Sequence, residues 1–285
     1  MKRSVVVTGA STGIGYAIAQ TLAREGFHVF AGVRRMDDAD RLVEDIGDEL
    51  TPLIFDVTDP QGLAEAARDV GERLGTTTLA GLVNNAGVAV AGPLLHLPID
   101  ELRRQLEVNV VAQVAVTQAF APLLGADRSR KGEPGRIVNM SSISGRLAMP
   151  FGGAYAASKH AFEAISDALR RELMLYGVDV IVIEPGPIAT PIWDKAEAQD
   201  HSAFLKTDYR DAIERLRSYM LKRGREGLPP ERVAASVLRA LLAPKPPTRI
   251  PVLSGKFANW ILPRALPDRV LDRMVGKRLG LMRKD

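Results

Sequence analysis

Tyr155 and Lys159 stand four residues apart and Ser142 lies thirteen residues upstream, a phenol, an ammonium and a hydroxyl suited to moving a proton. On a helix, positions four apart share one face. A free phenol ionises near pH ~10, which makes it a poor base at neutral pH. A cation ~4 Å away in a partly buried site is worth on the order of 4 kcal/mol, enough to pull the phenol down by a unit or more. The spacing therefore predicts Tyr155 as a general acid/base whose pKa Lys159 lowers. A YxxxK spacing also arises by chance in helical proteins, so the surrounding elements must decide.

Those elements alternate. Short β-branched runs at residues 4–7, 28–33, 53–55, 79–83, 136–140 and 179–183 are separated by helical stretches such as 14–24, 38–46 and 63–74. Strands that are apolar on both faces and separated by helices predict an α/β, doubly wound parallel sheet, the Rossmann fold. Residues 1–255 are expected to form this unit. The charged, helical stretch 191–225 has no strand partner and is expected to lie over the carboxyl edge of the sheet as a substrate lid. Residues 256–285 form a C-terminal extension.

With 285 residues, 46% of them hydrophobic, the chain can bury a full core. No cysteine is present, which excludes disulfides and thiolate chemistry, and His28, His96, His160 and His201 lack ligand spacing, so no metal is expected. Met1-Lys2-Arg3 followed by Val5-Val6-Val7 resembles the start of a signal peptide, but the apolar stretch ends at Thr8-Gly9. No uninterrupted apolar run approaches the ~18 residues that cross a bilayer, and a cytoplasmic location is expected. The net charge of +4 is uneven: residues 256–285 hold eight Lys/Arg against three Asp/Glu, leaving about −1 for the rest. Basicity confined to a tail argues against nucleic acid as a partner. In that tail Trp260, Leu271, Met274 and Val275 alternate with Arg264, Arg273 and Lys277. Such a face either makes weak contact with an anionic membrane surface or packs on the body or on another subunit.

Val5 to Gly15 reads as strand, glycine turn and helix start. Gly9 permits a tight turn, Gly13 lets the backbone approach a pyrophosphate, and Gly15 allows close helix packing at a positive helix terminus. The Thr8-Gly9-x-x-x-Gly13-x-Gly15 turn, Asn84-Asn85-Ala86-Gly87, Asn109, Ser142, Tyr155-x-x-x-Lys159 and Pro185-Gly186 occur in one order and spacing. Over roughly residues 4–190 this sequence resembles the short-chain dehydrogenase/reductase family. The resemblance implies an oxidoreductase that transfers hydride between a nicotinamide cofactor and a carbonyl or secondary alcohol.

It also implies positions. Gly9, Ser11, Thr12, Gly13, Ile14 and Gly15 would surround the phosphates; Asp56 and Val57 would hold the adenine; Asn85, Ala86 and Gly87 would flank the nicotinamide ribose. Asp56 can equally cap its own turn, and Asn85 can equally be structural. Pro185, Gly186, Ile188 and Thr190 would face the nicotinamide. Family members that prefer NAD carry an acid at the end of the second strand, where this chain has Arg34-Arg35 and no acid until Asp37. Arg34 offers a planar fork to a 2′-phosphate, so NADP(H) is expected over NAD(H), which stays open. Read as solvated surface charges, the two arginines would carry no such meaning.

Asn109, Ser142, Tyr155 and Lys159 match the family's catalytic tetrad. Ser142 would hydrogen-bond the substrate oxygen, Tyr155 would exchange the proton, and Lys159 would lower the Tyr155 pKa and bind the ribose. Asn109 would hold a water that leads to Lys159. Leu147, Met149, Phe151, Trp193, Phe204 and Tyr209 could line an apolar pocket, and the VFAGVRR strand and long C-terminus are similar to the branch acting on steroids, retinoids and other lipophilic substrates. The alternatives are an NAD(H)-dependent dehydrogenase of a small alcohol, or a non-catalytic cofactor sensor on the same fold. Helices at 102–124 and 155–176 resemble those the family uses for homodimers and homotetramers.

Overall fold

Seven strands, β1 (Ser4–Thr8), β2 (His28–Val33), β3 (Leu50–Ile54), β4 (Gly81–Asn84), β5 (Arg136–Met140), β6 (Asp179–Pro185) and β7 (Arg249–Val252), make one sheet in the order β3-β2-β1-β4-β5-β6-β7. Every pairing is parallel. This is a computed structural model that describes residues 2–283. Met1, Lys284 and Asp285, at the outer ends of the expected 1–255 and 256–285 segments, lie outside the described residues.

Alternation of side chains builds a core on each face of the sheet. Val5 and Val7 point to one side with Ile18, Leu22, Leu42, Val233 and Val237, under α1 (Gly13–Arg24), α2 (Met36–Ile46) and α9 (Glu231–Leu242). Val6 points to the other side with Leu63, Leu82, Phe120, Ile137 and Val180, under α3 (Pro60–Leu74) and α5 (Ala112–Phe120). Beside them lies α6 (Gly153–Glu172). Strand order reverses between β1 and β4, and in open α/β sheets the crevice at such a point takes the ligand.

The seventh strand and α9 were not legible in the sequence. β7 is four residues long and contains Pro251, which cannot donate to a ladder and is tolerated because β7 is an edge. Boundaries also move by a few residues: β3 begins at Leu50, and α3 begins at Pro60, with Asp59 accepting from the Gln61 N–H at 3.1 Å.

The stretch 191–225 is helical, with α7 (Ile192–Glu197) and α8 (Arg210–Arg225). α10 (Leu262–Ala265) and α11 (Asp268–Leu279) follow β7, and α11 packs against α8. Trp260 is buried under the Arg264 guanidinium, 4.5 Å from its ring, and the Arg278 guanidinium lies 4.4 Å from the Tyr219 ring. Ile261, Leu262, Val270 and Met274 remain exposed. Among the described residues one helical run, Ile99–Leu124, is long and apolar enough by composition to cross a membrane. It includes α4 (Ile99–Leu106) and α5, and these pack on α6, α3 and β4.

Candidate active site

The carboxyl ends of β1, β4, β5 and β6 converge on one cleft. Thr8 closes β1 and fastens the neighbouring strand: its Oγ1 accepts from the N–H groups of Asn85 (3.0 Å) and Ala86 (3.1 Å). Asn85 returns two bonds, from Nδ2 to the carbonyls of Thr8 (3.0 Å) and Gly9 (3.1 Å). Its side chain is therefore structural, holding the glycine turn. Gly9 sits at φ 65°, and a Cβ there would stand 2.8 Å from the Ala86 Cα. A Cβ on Gly15 would stand 2.1 Å from the Gly9 carbonyl oxygen, so only glycine lets α1 start this close to β1. Gly13 faces the Thr190 side chain across the cleft. Thr12 caps α1 in an extended conformation, no acid occupies its first turn, and Ile14 packs on the core below. A backbone cradle at an uncharged helix start fits a pyrophosphate.

The end of β2, where the ribose is expected, is built from arginines. Arg34 is exposed, its Nη1 3.9 Å from Asp56 Oδ2. The other oxygen of Asp56 accepts from the Thr58 N–H (2.9 Å) and hydroxyl (2.7 Å), so the carboxylate does cap its turn while its free oxygen faces Arg34; Val57 packs half-buried beside it. Arg41 is a residue the sequence reading missed. From α2 its Nη2 reaches the Ser11 carbonyl at 2.7 Å and Asp38 Oδ1 at 2.9 Å, while Arg35 holds the same carboxylate at 3.2 Å. Only the i, i+3 spacing of Asp38 and Arg41 hinted at the pair. The Arg35 hydrogen bond, then the charges of Arg35 and Arg41, hold the Asp38 carboxyl below its usual range against the cost of burial. An acid so neutralised does not repel a phosphate.

The residues expected to transfer the proton lie on three elements. Ser142 follows β5 in extended conformation, opens the turn Ile143–Gly145, and accepts from the Ser144 N–H at 3.1 Å. Its Oγ also donates to the Pro185 carbonyl at 3.5 Å. Tyr155 and Lys159 share one face of α6, with the ammonium 5.8 Å from the ring centroid. The expected lowering of the Tyr155 pKa is not what this geometry gives. Burial pushes the phenol up, opposed only by the nearby Ser142 hydroxyl. Lys159 spends its charge elsewhere, donating to the Met140 carbonyl at 2.8 Å, and burial pulls the ammonium down to about 8 against the pull of Glu163.

Asn109 sits in a π-helical turn, Glu107–Val111, a widening that often marks a functional position. Its Oδ1 accepts from the Val88 N–H at 2.9 Å, and Nδ2 donates to the Val88 carbonyl (2.9 Å) and Ser158 Oγ (3.1 Å). Both amide hydrogens are used, so a water leading to Lys159 would have to donate to a remaining oxygen. Gly87 leaves room for this amide, since a Cβ there would stand 3.2 Å from Oδ1. A further polar chain, unnoticed in the sequence, runs through the sheet: Asn84 Nδ2 donates to Asn139 Oδ1 (2.9 Å) and Asn139 Nδ2 to Ser166 Oγ (2.9 Å).

A family model described as short chain dehydrogenase matches residues 3–201. The chain belongs to the short-chain dehydrogenase/reductase family. It is 43% identical, over 97% of both chains, to an NADPH-dependent 3-dehydrocapnine reductase of Ornithobacterium rhinotracheale. It is 41% identical to mouse retinol dehydrogenase 5 across 66% of this chain and 57% of that one. A solved short-chain dehydrogenase from Streptomyces avermitilis superposes with a TM-score of 0.76 at 26% identity, covering 99% of this chain and 98% of the other. Membership makes the chain an NAD(P)-dependent oxidoreductase acting on CH–OH groups.

In this short-chain dehydrogenase/reductase the strand end at Pro185 is held by its neighbour, Gly186 donating to the Val252 carbonyl at 2.9 Å. The Ile188 side chain is buried in the core, and its carbonyl accepts from Trp193 Nε1 at 2.7 Å. Trp193 is thus an anchor, packed on Gly224 of α8, and not the pocket wall expected from sequence. The aromatic wall is built by others. Phe151, at φ 64°, meets Tyr209 edge-on at 5.6 Å, and His96 meets Tyr209 at 5.9 Å. Phe204 packs on Leu97 and Gly92, while Met149 stays exposed. A bulky residue in left-handed conformation is strained, and such strain concentrates at functional loops.

Proposed function

We propose that this chain reduces the carbonyl of a lipophilic substrate with NADPH, the reverse oxidation using NADP+. The carrying observation is the cluster of Arg34, Arg35 and Arg41 at the end of β2, with Asp38 neutralised inside it. Bidentate guanidinium contacts to phosphate are among the stronger polar interactions. The NADPH dependence of the 43% identical reductase supports the same choice. When bound, the nicotinamide supplies or accepts the hydride at the carbonyl carbon.

The chain's own groups supply the rest. The Ser142 hydroxyl donates to the carbonyl oxygen, and Tyr155 Oη delivers the proton that this oxygen needs as it gains charge. Lys159, its ammonium anchored to the Met140 carbonyl, holds the ribose hydroxyls. Asn109 fixes the Val88 backbone and Ser158 beneath them. Residues 191–225 serve as a lid and 256–285 as an extension seated on it, within an otherwise single 1–255 unit. Exposed Val111, Met174 and Leu175 on the α5 and α6 side support assembly into a homodimer or homotetramer, and a cytoplasmic location belongs to the same reading. The apolar wall of Phe151, Phe204 and Tyr209, together with likeness to retinol dehydrogenase 5, supports a lipophilic substrate.

The test is steady-state kinetics with NADPH and NADH on a graded series of ketones and aldehydes. Wild type should favour NADPH by roughly 10- to 100-fold in kcat/KM, as expected of one or two charged hydrogen bonds. Arg34→Asp should bring that ratio toward or below one. A higher kcat/KM with NADH in wild type would reject the cofactor assignment, and a preference for short polar carbonyls would reject the substrate class.

A further inference from the structure

Behind the cleft, a buried ion network joins the elements that carry the reacting groups. Arg146 lies in the segment that Ser142 opens, with Nη2 3.2 Å from Glu163 Oε2 and Nε 3.4 Å from Glu184 Oε1. Glu163 is one helical turn beyond Lys159 on α6, and Glu184 is the residue of β6 directly before Pro185. Arg249 of β7 closes the ring, with Nε 3.0 Å from Glu163 Oε2 and 3.8 Å from Glu184 Oε1, and Nη2 2.9 Å from Asp167 Oδ1. The glutamates are 3% and 1% exposed. Arg146, Glu163, Asp167 and Arg249 line an adjoining cavity of about 380 Å³ together with His160 and Arg264.

Such a network is a costly way to gain stability, because an apolar cluster of equal volume would serve as well or better. What it offers is directional attachment. Arg146 is placed to fix three segments against one another, and none of its contacts reaches the cleft. The burial of Glu184 and its nearness to Glu163 push its carboxyl up, opposed by Arg146 and Arg249. Without Arg146 the two carboxylates would hold one guanidinium between them, and one would take up a proton or turn away.

We propose that Arg146 is a positioning residue for the reaction, bridging Glu163 and Glu184 so that the Ser142 turn, the Tyr155–Lys159 helix and the Pro185-Gly186 strand end stay in fixed register. The identity of the reacting groups rests on the hydride-transfer reading; the mechanical coupling does not. Full-length Arg146→Gln, Arg146→Lys and the Arg146→Gln/Glu184→Gln pair are compared with wild type by hydrogen exchange and by steady-state kinetics. In Arg146→Gln, exchange at residues 141–147, 153–160 and 184–188 should rise together by roughly tenfold or more. Its kcat should fall by about 10- to 100-fold with KM changed less than about threefold, since a misplaced reacting group costs turnover before binding. Adding Glu184→Gln should restore roughly tenfold of the lost kcat, and Arg146→Lys should fall between wild type and Arg146→Gln. Faster exchange confined to 141–147, additive losses in the pair, or an unchanged kcat would each overturn the proposal. If Arg146→Gln does not fold, Arg146→Lys and the pair carry the same comparison. A wild type without carbonyl reductase activity would sink the functional reading and leave the exchange data to decide this one.

Discussion

The floor of the cleft and the lid above it are held by different kinds of interaction. On the floor, Thr8, Asn84, Gln105, Asn109, Gln113 and Asn139 are almost fully buried and place most of their polar atoms on backbone or side-chain partners, with Asn84 Oδ1 and Gln113 Oε1 left without one among the described residues. In the lid, no residue of α7 is buried, and α8 buries only Ala212, Ile213 and Gly224. Its ion pairs, such as Arg225 with Asp194 and Glu197, lie at the surface. Breaking a buried hydrogen bond costs the full desolvation of its partners, so the floor is held firmly; exposed pairs cost little to break, so the helices above it are held more weakly. On the proposed reading, the firmly held floor carries the chemistry and the weakly held lid meets the variable part of the substrate.

The sharpest way to break that contrast is to remove a reacting atom from the floor without disturbing its shape. Tyr155→Phe deletes the proposed proton donor and keeps the ring that faces Lys159. Turnover should fall by about 10²- to 10⁴-fold, the usual worth of a positioned acid. NADPH should still bind within a few-fold of wild type in a fluorescence titration, because the glycine cradle and arginines are untouched. Turnover retained at a tenth or more of wild type would remove Tyr155 from the reaction.

The next largest effect separates the floor's chemistry from its stability through Lys159. Its folded pKa of about 8 lies below its ordinary value. Below pH 8 both folded and unfolded chains hold the proton, and the burial cost is fully present. Between pH 8 and ~10.4 the unfolded chain holds a proton that the folded chain has released, so this group's contribution raises stability, by about 3 kcal/mol in all. Reduction should move the other way, declining above pH 8 as the ribose loses its cation, toward tenfold per unit. Burial pushes the Tyr155 phenol upward and favours its donor form, whereas oxidation needs the phenolate and should gain with pH. Melting temperature and kcat/KM measured from pH 6 to 10 should therefore diverge; a joint fall would mean that activity is lost by unfolding.

How much of this was legible in the sequence follows the same division. The first six strands, the glycine turn and the Tyr155–Lys159 face are encoded locally, in periodicity and in glycines that no other residue replaces. Arg41 and the Asn84–Asn139–Ser166 chain depend on contacts between residues 27 to 55 positions apart, which no local pattern records. The direction of the Tyr155 shift was misread for a related reason. Spacing showed that Lys159 shares a face with the phenol, but not that the ammonium turns to the Met140 carbonyl and that burial then prevails. An aromatic in a lid suggests a pocket wall; that the Trp193 indole instead turns back to the Ile188 carbonyl five residues before it and packs on Gly224, 31 residues after it, is not declared by the residue type.

Trp193 gives the mildest test. Its indole docks α7 on Gly224 of α8 and on the Ile188 carbonyl, which connects the lid to the strand end at Pro185. Trp193→Ala should loosen the lid alone: KM for the carbonyl substrate should rise several-fold, up to about tenfold, with kcat and melting temperature close to wild type, because lid opening is a local event. Arg225→Ala, which removes only surface pairs to Asp194 and Glu197, should change neither KM nor melting temperature measurably. If Trp193→Ala instead lowered the melting temperature as far as a core deletion does, the lid would be part of the cooperative unit, and substrate choice would have to lie in the fixed residues around Phe151.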